Sequence, residues 1–147
     1  MNGSSNTFLF SIDLEDVRDF IPNGHQYREA VPANTLKYLD WLDKVKSKAT
    51  FFVVGKTARD YPDLIREIIK RGHETACHTD THIHLTKQTE SEFRKDCENF
   101  LTTMYSLGAT SVIGFRAPTF SMVESSRWAY GVLHDFGFKY SSSVLPS

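Results

Sequence analysis

The chain has 147 residues, with 17 Lys or Arg against 18 Asp or Glu and 40% hydrophobic side chains. That length suits one domain with a packed core, and a net charge of -1 offers no basic excess for binding nucleic acid. No apolar run approaches the roughly 18 residues of a membrane span, and Met1 to Asn6 lacks the basic-then-apolar pattern of a secretory signal.

In chain order, Thr7 to Ile12 is a short run of β-formers followed at once by acids. Leu36, Leu39, Leu42 and Val45 recur at helical spacing, with Asn34 or Thr35 as the cap. Ala49 to Val54 reads as a buried strand stopped by Gly55. Pro62 suits a helix start, Leu64, Ile65, Ile68 and Ile69 form its buried stripe, and Gly72 ends it. His73 to Cys77 is the third strand, and a polar, histidine-rich loop follows. Thr89 and Glu92 have capping-box spacing and open a helix with an inner face of Phe93, Cys97, Phe100, Leu101, Met104 and Leu107, closed by Gly108. Ser111 to Phe115 is a fourth strand. Ser121 and Glu124 repeat the capping-box spacing before Trp128, Val132, Leu133 and Phe136, Gly137 ends that helix, and Phe138 to Val144 is a fifth strand.

Strands alternating with helices imply an α/β fold of parallel β-α-β units with right-handed crossovers. Such a chain makes either an open doubly wound sheet or part of a barrel, since a closed β/α barrel takes about 250 residues. In both, side chains for chemistry gather at the C-terminal ends of the strands. Three clusters sit there: Asp13, Glu15 and Asp16 after the first strand, His78 to His82 after the third, and Arg116-Ala117-Pro118 after the fourth. His78 and His82 are four apart, so on a helical turn both imidazoles reach one ion at roughly 2.0–2.1 Å. His84, two further on, could compete as a ligand but reads first as a loop residue near such a site. Clustered carboxylates repel unless a cation or arginine offsets them. An arginine at a strand end can pair with one of them and fix its rotamer.

Together these residues resemble the polysaccharide deacetylase family (the nodulation-type homology domain, carbohydrate esterase family 4). The likeness lies in Ser11-Ile12-Asp13-Leu14-Glu15-Asp16, in Gly72-His73-Glu74 leading to His78-Thr79 and His82, and in Phe115-Arg116-Ala117-Pro118. Lys48 to Gly55 resembles the family's second strand, and the likeness runs from about Phe8 to Ser143. The fold it implies is part of a distorted β/α barrel of about seven strands, one short of the usual eight. By the resemblance, Asp13 is the general base, His78 and His82 are metal ligands, Arg116 orients Asp13, and Pro118 lines the site. The family places two aspartates side by side, whereas Leu14 follows Asp13 here. The third ligand is then Glu15 or Asp16, with the shorter Asp16 favoured.

The resemblance implies hydrolysis of an N- or O-acetyl group on a sugar or polysaccharide, aided by a divalent metal, Zn²⁺ in the first instance. Two other readings are a cyclic-amide hydrolase acting on allantoin-like rings, and a non-catalytic fragment with a residual metal site. The family's later motifs, including a histidine general acid, have no counterpart before Ser147, and His134 lies within a helix. The chain is therefore expected to be a single domain, 1–147, incomplete at its C-terminal side, able to assemble the metal half-site yet weakly active. Further expectations are substrate contacts from His25, Tyr27 and Arg28 in the long loop from Asp16 to Pro32, and homo-oligomers through an exposed sheet edge. With no disulfide framework from Cys77 and Cys97, a reducing, cytoplasmic setting is expected.

Overall fold

The computed structural model describes residues 8–144, so Thr7 of the first predicted strand lies outside the described residues. The elements are β1 (Ser11–Leu14), α1 (Val31–Lys44), β2 (Thr50–Val53), α2 (Gly55–Asp60), α3 (Pro62–Lys70), β3 (Glu74–Cys77), α4 (Glu90–Ser106), β4 (Gly114–Phe115), α5 (Ala129–Asp135) and β5 (Tyr140–Ser141). All strand pairs are parallel, and their spatial order equals their chain order, β1-β2-β3-β4-β5. Because every crossover has the same hand, an unreversed order puts all the helices on one face. A doubly wound sheet needs a reversal to cover both faces. The sheet is therefore one wall of a barrel, with helices outside.

The register aligns Leu14 with Val53, Val53 with Cys77, and Cys77 with Phe115. These four side chains are buried against the helices, in a core that includes Leu39, Leu42, Ile65, Ile68, Phe93, Phe100 and Met104. Each such side chain contributes about 1.5–3 kcal/mol on burial. Since strand side chains alternate, the neighbours of this row point to the opposite, inner face. Asp13, Glu15, His78 and Arg116 are such neighbours, brought level by one register.

The capping box of Thr89 and Glu92 forms: the Glu92 amide donates to Thr89 Oγ1 at 3.3 Å, and the Thr89 amide to Glu92 Oε2 at 2.7 Å. Gly72, Gly108 and Gly137 follow their helices with φ of 74°, 99° and 82°, a region costly for residues with a Cβ. Several boundaries differ from expectation. Pairing with β2 starts at Ser11, leaving Phe8 and Leu9 83% and 87% exposed. α1 starts at Val31, with Pro32 in its first turn, and its buried residues are Thr35, Leu39 and Leu42, while Leu36 and Val45 are exposed. The strand ends before Gly55 as expected, and Gly55 also opens α2, its amide donating to the Thr79 carbonyl at 3.0 Å. The Ser121–Glu124 box does not form. Ser121 Oγ accepts from the Leu85 amide, and Glu124 pairs with exposed Arg127. Among the described residues, no helix is long and apolar enough to cross a membrane.

Candidate metal centre

Glu15 and His78 each stand one residue past a strand on the inner face, and His82 returns from the following loop. One ligand atom from each of the three lies within 4.8 Å of the others. His78 Nδ1 is 2.7 Å from the Arg116 carbonyl, which only accepts, so Nδ1 carries the proton and Nε2 keeps its lone pair. That Nε2 is 4.0 Å from Glu15 Oε2 and 3.9 Å from Asp13 Oδ2. Burial pushes the His78 pKa down, favouring the neutral ring a metal requires. His82 Nε2 lies 2.6 Å from Glu15 Oε2, and the His82 ring packs on Phe20 with centroids 4.4 Å apart. The neighbouring His82 imidazole holds the Glu15 carboxyl below the usual range, against the opposing effect of burial.

Glu15 Oε2 is buried and accepts no well-directed hydrogen bond, despite the nearness of His82. A buried carboxylate oxygen without a donor costs free energy unless another positive partner satisfies it. One carboxylate and two imidazoles meeting at that orphaned oxygen fit the donor set of Zn²⁺. The two histidines are not on a helical turn, as their spacing suggested. Thr79 and His82 have left-handed backbones, φ 67° and 57°, and the His82 amide donates to Thr79 Oγ1 at 2.9 Å.

Beside this group, Arg116 Nη1 donates to Asp13 Oδ1 at 2.6 Å. Arg116 is itself tied down: Nε donates to the Ser142 carbonyl, Nη2 to Ser142 Oγ and Ser11 Oγ, and its guanidinium carbon lies 4.0 Å above the Phe52 ring. Pro118 is buried at the start of a short turn, Pro118–Phe120, where Thr119 and Phe120 have φ of 50° and 53°.

The carboxylate brought to the histidines is that of Glu15, not of Asp16, the residue favoured from the sequence. Asp16 Oδ2 accepts from Arg18 Nη2 at 2.6 Å and from the Tyr61 hydroxyl at 3.0 Å. Arg18 holds the Asp16 carboxyl below its ordinary range. The reason is alternation: the backbone is still extended at Asp16, so Asp16 shares the side of Leu14, while Glu15 shares that of Asp13. Continuing the strand's period through Leu14 would have found Glu15.

Tyr27 and Arg28 line a groove of about 370 Å³ together with Asp13 and Glu15, whereas His25 lines a separate hollow. His84 Nδ1 is engaged by Thr86 Oγ1 at 2.7 Å. His134 on α5 has an 89% exposed side chain. Two larger hollows are lined by none of the three ligands: one lies between Phe10 and α1, and the other runs from Phe8 and Glu74 to Phe52 and Arg116. Sequence reasoning missed Asp96, which reaches from α4 into the histidine loop, and Arg59, which pairs with Asp80. Asp96 was visible as an acid on an apolar stripe, between Phe93 and Phe100, where an unpartnered charge is costly.

A family model described as polysaccharide deacetylase matches residues 23–140, a span that includes His78, His82 and Arg116 and starts after Asp13 and Glu15. A chitooligosaccharide deacetylase of Sinorhizobium fredii is 47% identical over 55 residues, which are 37% of this chain and 26% of that protein. A peptidoglycan-N-acetylglucosamine deacetylase of Bacillus cereus is 40% identical over 60 residues, 41% of this chain and 22% of that protein. A Mycobacterium smegmatis crystal structure, assigned to the polysaccharide deacetylases, superposes with a TM-score of 0.82 at 26% identity, covering 93% of this chain and 50% of that one. The chain thus spans about a quarter of the two curated relatives and half of the solved structure.

Proposed function

The chain belongs to the polysaccharide deacetylase family, and from that premise we propose that Glu15, His78 and His82 hold a divalent cation, best matched by Zn²⁺, for removal of acetyl groups from acetylated sugars. The observation that carries this reading is the convergence of the Glu15 carboxylate with two imidazoles, one ligand atom from each lying within 4.8 Å of the others. The relatives named for chitooligosaccharide and peptidoglycan support an N-acetylated glucosamine polymer as the substrate class. Cytoplasmic placement belongs to the same reading, supported by two buried, free thiols, Cys77 and Cys97.

A bound divalent ion supplies Lewis acidity to the acetyl carbonyl and to the attacking water. Asp13 then acts as the general base. Its Oδ1 is occupied by Arg116, which leaves Oδ2, on the His78 side, to take the water proton. Arg116 is the positioning residue: clamped by Ser11, Ser142 and Phe52, it fixes the Asp13 rotamer. Pro118 shapes the wall beyond Arg116 by turning the chain. The proton for the leaving amine has no donor among the described histidines outside the metal group: His73 is buried away from the centre, His84 is engaged by Thr86, and His25 and His134 are exposed.

Calorimetric titration of the metal-free chain with zinc tests the reading, together with acetate release from an acetylated chitooligomer. One equivalent should bind and be lost in Glu15→Gln, and any acetate release should stop with a chelator and return with zinc. Zinc binding that ignores Glu15→Gln would refute the assignment.

A further inference from the structure

The loop carrying both histidines is held from behind. Asp96 Oδ2 accepts from the Asp80 amide at 2.5 Å, and Oδ1 accepts from the Thr81 amide at 3.2 Å and the Thr81 hydroxyl at 2.7 Å. From the other side, the Gly55 and Lys56 amides at the start of α2 donate to the Thr79 and Asp80 carbonyls, at 3.0 and 2.9 Å. The Asp80 carboxylate accepts both Nη1 and Nη2 of Arg59. A Cβ on Gly55 would lie 2.0 Å from Asp80 Oδ1, so this close approach needs glycine. The clamped residues, Asp80 and Thr81, lie between two non-glycine residues in the left-handed region, Thr79 and His82. Such backbone is strained and persists only where surrounding contacts hold it.

We propose that Asp96 is a positioning residue for the metal centre: its carboxylate, from within the apolar face of α4, fixes the turn that aims His82 at Glu15 and His78. This rests on the metal-binding reading of the preceding subsection. Asp96 touches neither imidazole. It acts on the backbone between them, so its loss would loosen His82 relative to His78 rather than remove a ligand. Asparagine has nearly the same shape, yet an amide placed there turns one acceptor into a donor facing the loop's N–H groups.

The test is zinc affinity, by competition with a chelating dye, measured on the wild-type chain, Asp96→Asn and Met104→Ala, with each metal-free melting curve as a control. Met104 is buried on the same helix away from the loop, so its variant reports loss of packing alone. Asp96→Asn should weaken zinc binding by about 10–100-fold, as for partners that orient a metal site from behind, while Met104→Ala stays within about twofold. If Asp96→Asn does not fold, Thr81→Val reads the same bond, with an expected weakening of about three- to tenfold. Affinity unchanged in the folded Asp96→Asn variant, or in Thr81→Val where that substitutes for it, overturns the proposal alone. An equal loss in Met104→Ala overturns it too, by reducing the effect to general stability. A wild-type chain that binds no zinc overturns the metal reading, and this inference with it.

Discussion

His73 and His78 stand at opposite ends of β3, 6% and 2% exposed, and burial lowers the pKa of both. They differ in what meets Nδ1. At His73 the Ala49 amide donates to Nδ1 at 3.2 Å, so the proton must sit on Nε2, which has no acceptor. At His78 a carbonyl meets Nδ1, so Nε2 is left bare, with the carboxylates of Glu15 and Asp13 nearby. The same side chain, at similar depth, is a core acceptor at one end of a strand and a potential ligand at the other. The neighbouring backbone decides which, through the tautomer.

The comparison can be broken or sharpened by substitution. The largest effect is expected at Asp13, which shares the His78 end. Asp13→Asn should lower acetate release by about 10²–10⁴-fold while zinc affinity stays within about threefold, as single-turnover kinetics and calorimetry would show. Next, His78→Ala should weaken zinc binding by more than about 100-fold, beyond the cost of losing an orienting partner alone. His73→Asn, whose side-chain oxygen can still accept from Ala49, should leave that affinity within about twofold. A comparable loss in both would erase the distinction between the two ends.

Asp16 offers the same contrast among the acids. More deeply buried than Glu15 and satisfied by Arg18 and Tyr61, it should contribute stability and not metal affinity. Asp16→Asn should cost about 1–2 kcal/mol in urea unfolding and leave zinc binding unchanged. The smallest effect is in pH. A histidine whose folded pKa is lowered binds its proton more readily when unfolded, so stability is fully present above the unfolded value, near 6.5, and is lost as pH falls towards the folded one. The melting temperature of the metal-free chain should therefore drop on acidification through this range, and His73→Asn should flatten part of the drop.

Where a segment's own chemistry decided its structure, the residues were sufficient to read it. Thr89 and Glu92 cap α4, Gly72 and Gly108 end helices at positive φ, and Phe51 to Val53 form a strand buried on both faces. Gly55 marked the end of the second strand, but its position alone did not show that it also lets α2 start against Asp80. The choice between Glu15 and Asp16 was also legible, had the alternation of β1 been carried past Leu14. Asp96 was not legible as a loop anchor. Its acidity on an apolar stripe signalled a buried partner, but the partners are backbone amides, which leave no mark in a sequence.

The amino-acid order alone determined the alternation of strands and helices, the caps and stops, and the family resemblance of the acid, histidine and arginine clusters. These depend on residues within a turn or two of each other, where sterics and local hydrogen bonds dominate. Only the tertiary structure decided that these clusters meet, which ring nitrogen is bare, and how the loop after β3 is held. Those outcomes require strands distant in the chain to lie in one register, so that groups with no local reason to meet share one face of a sheet.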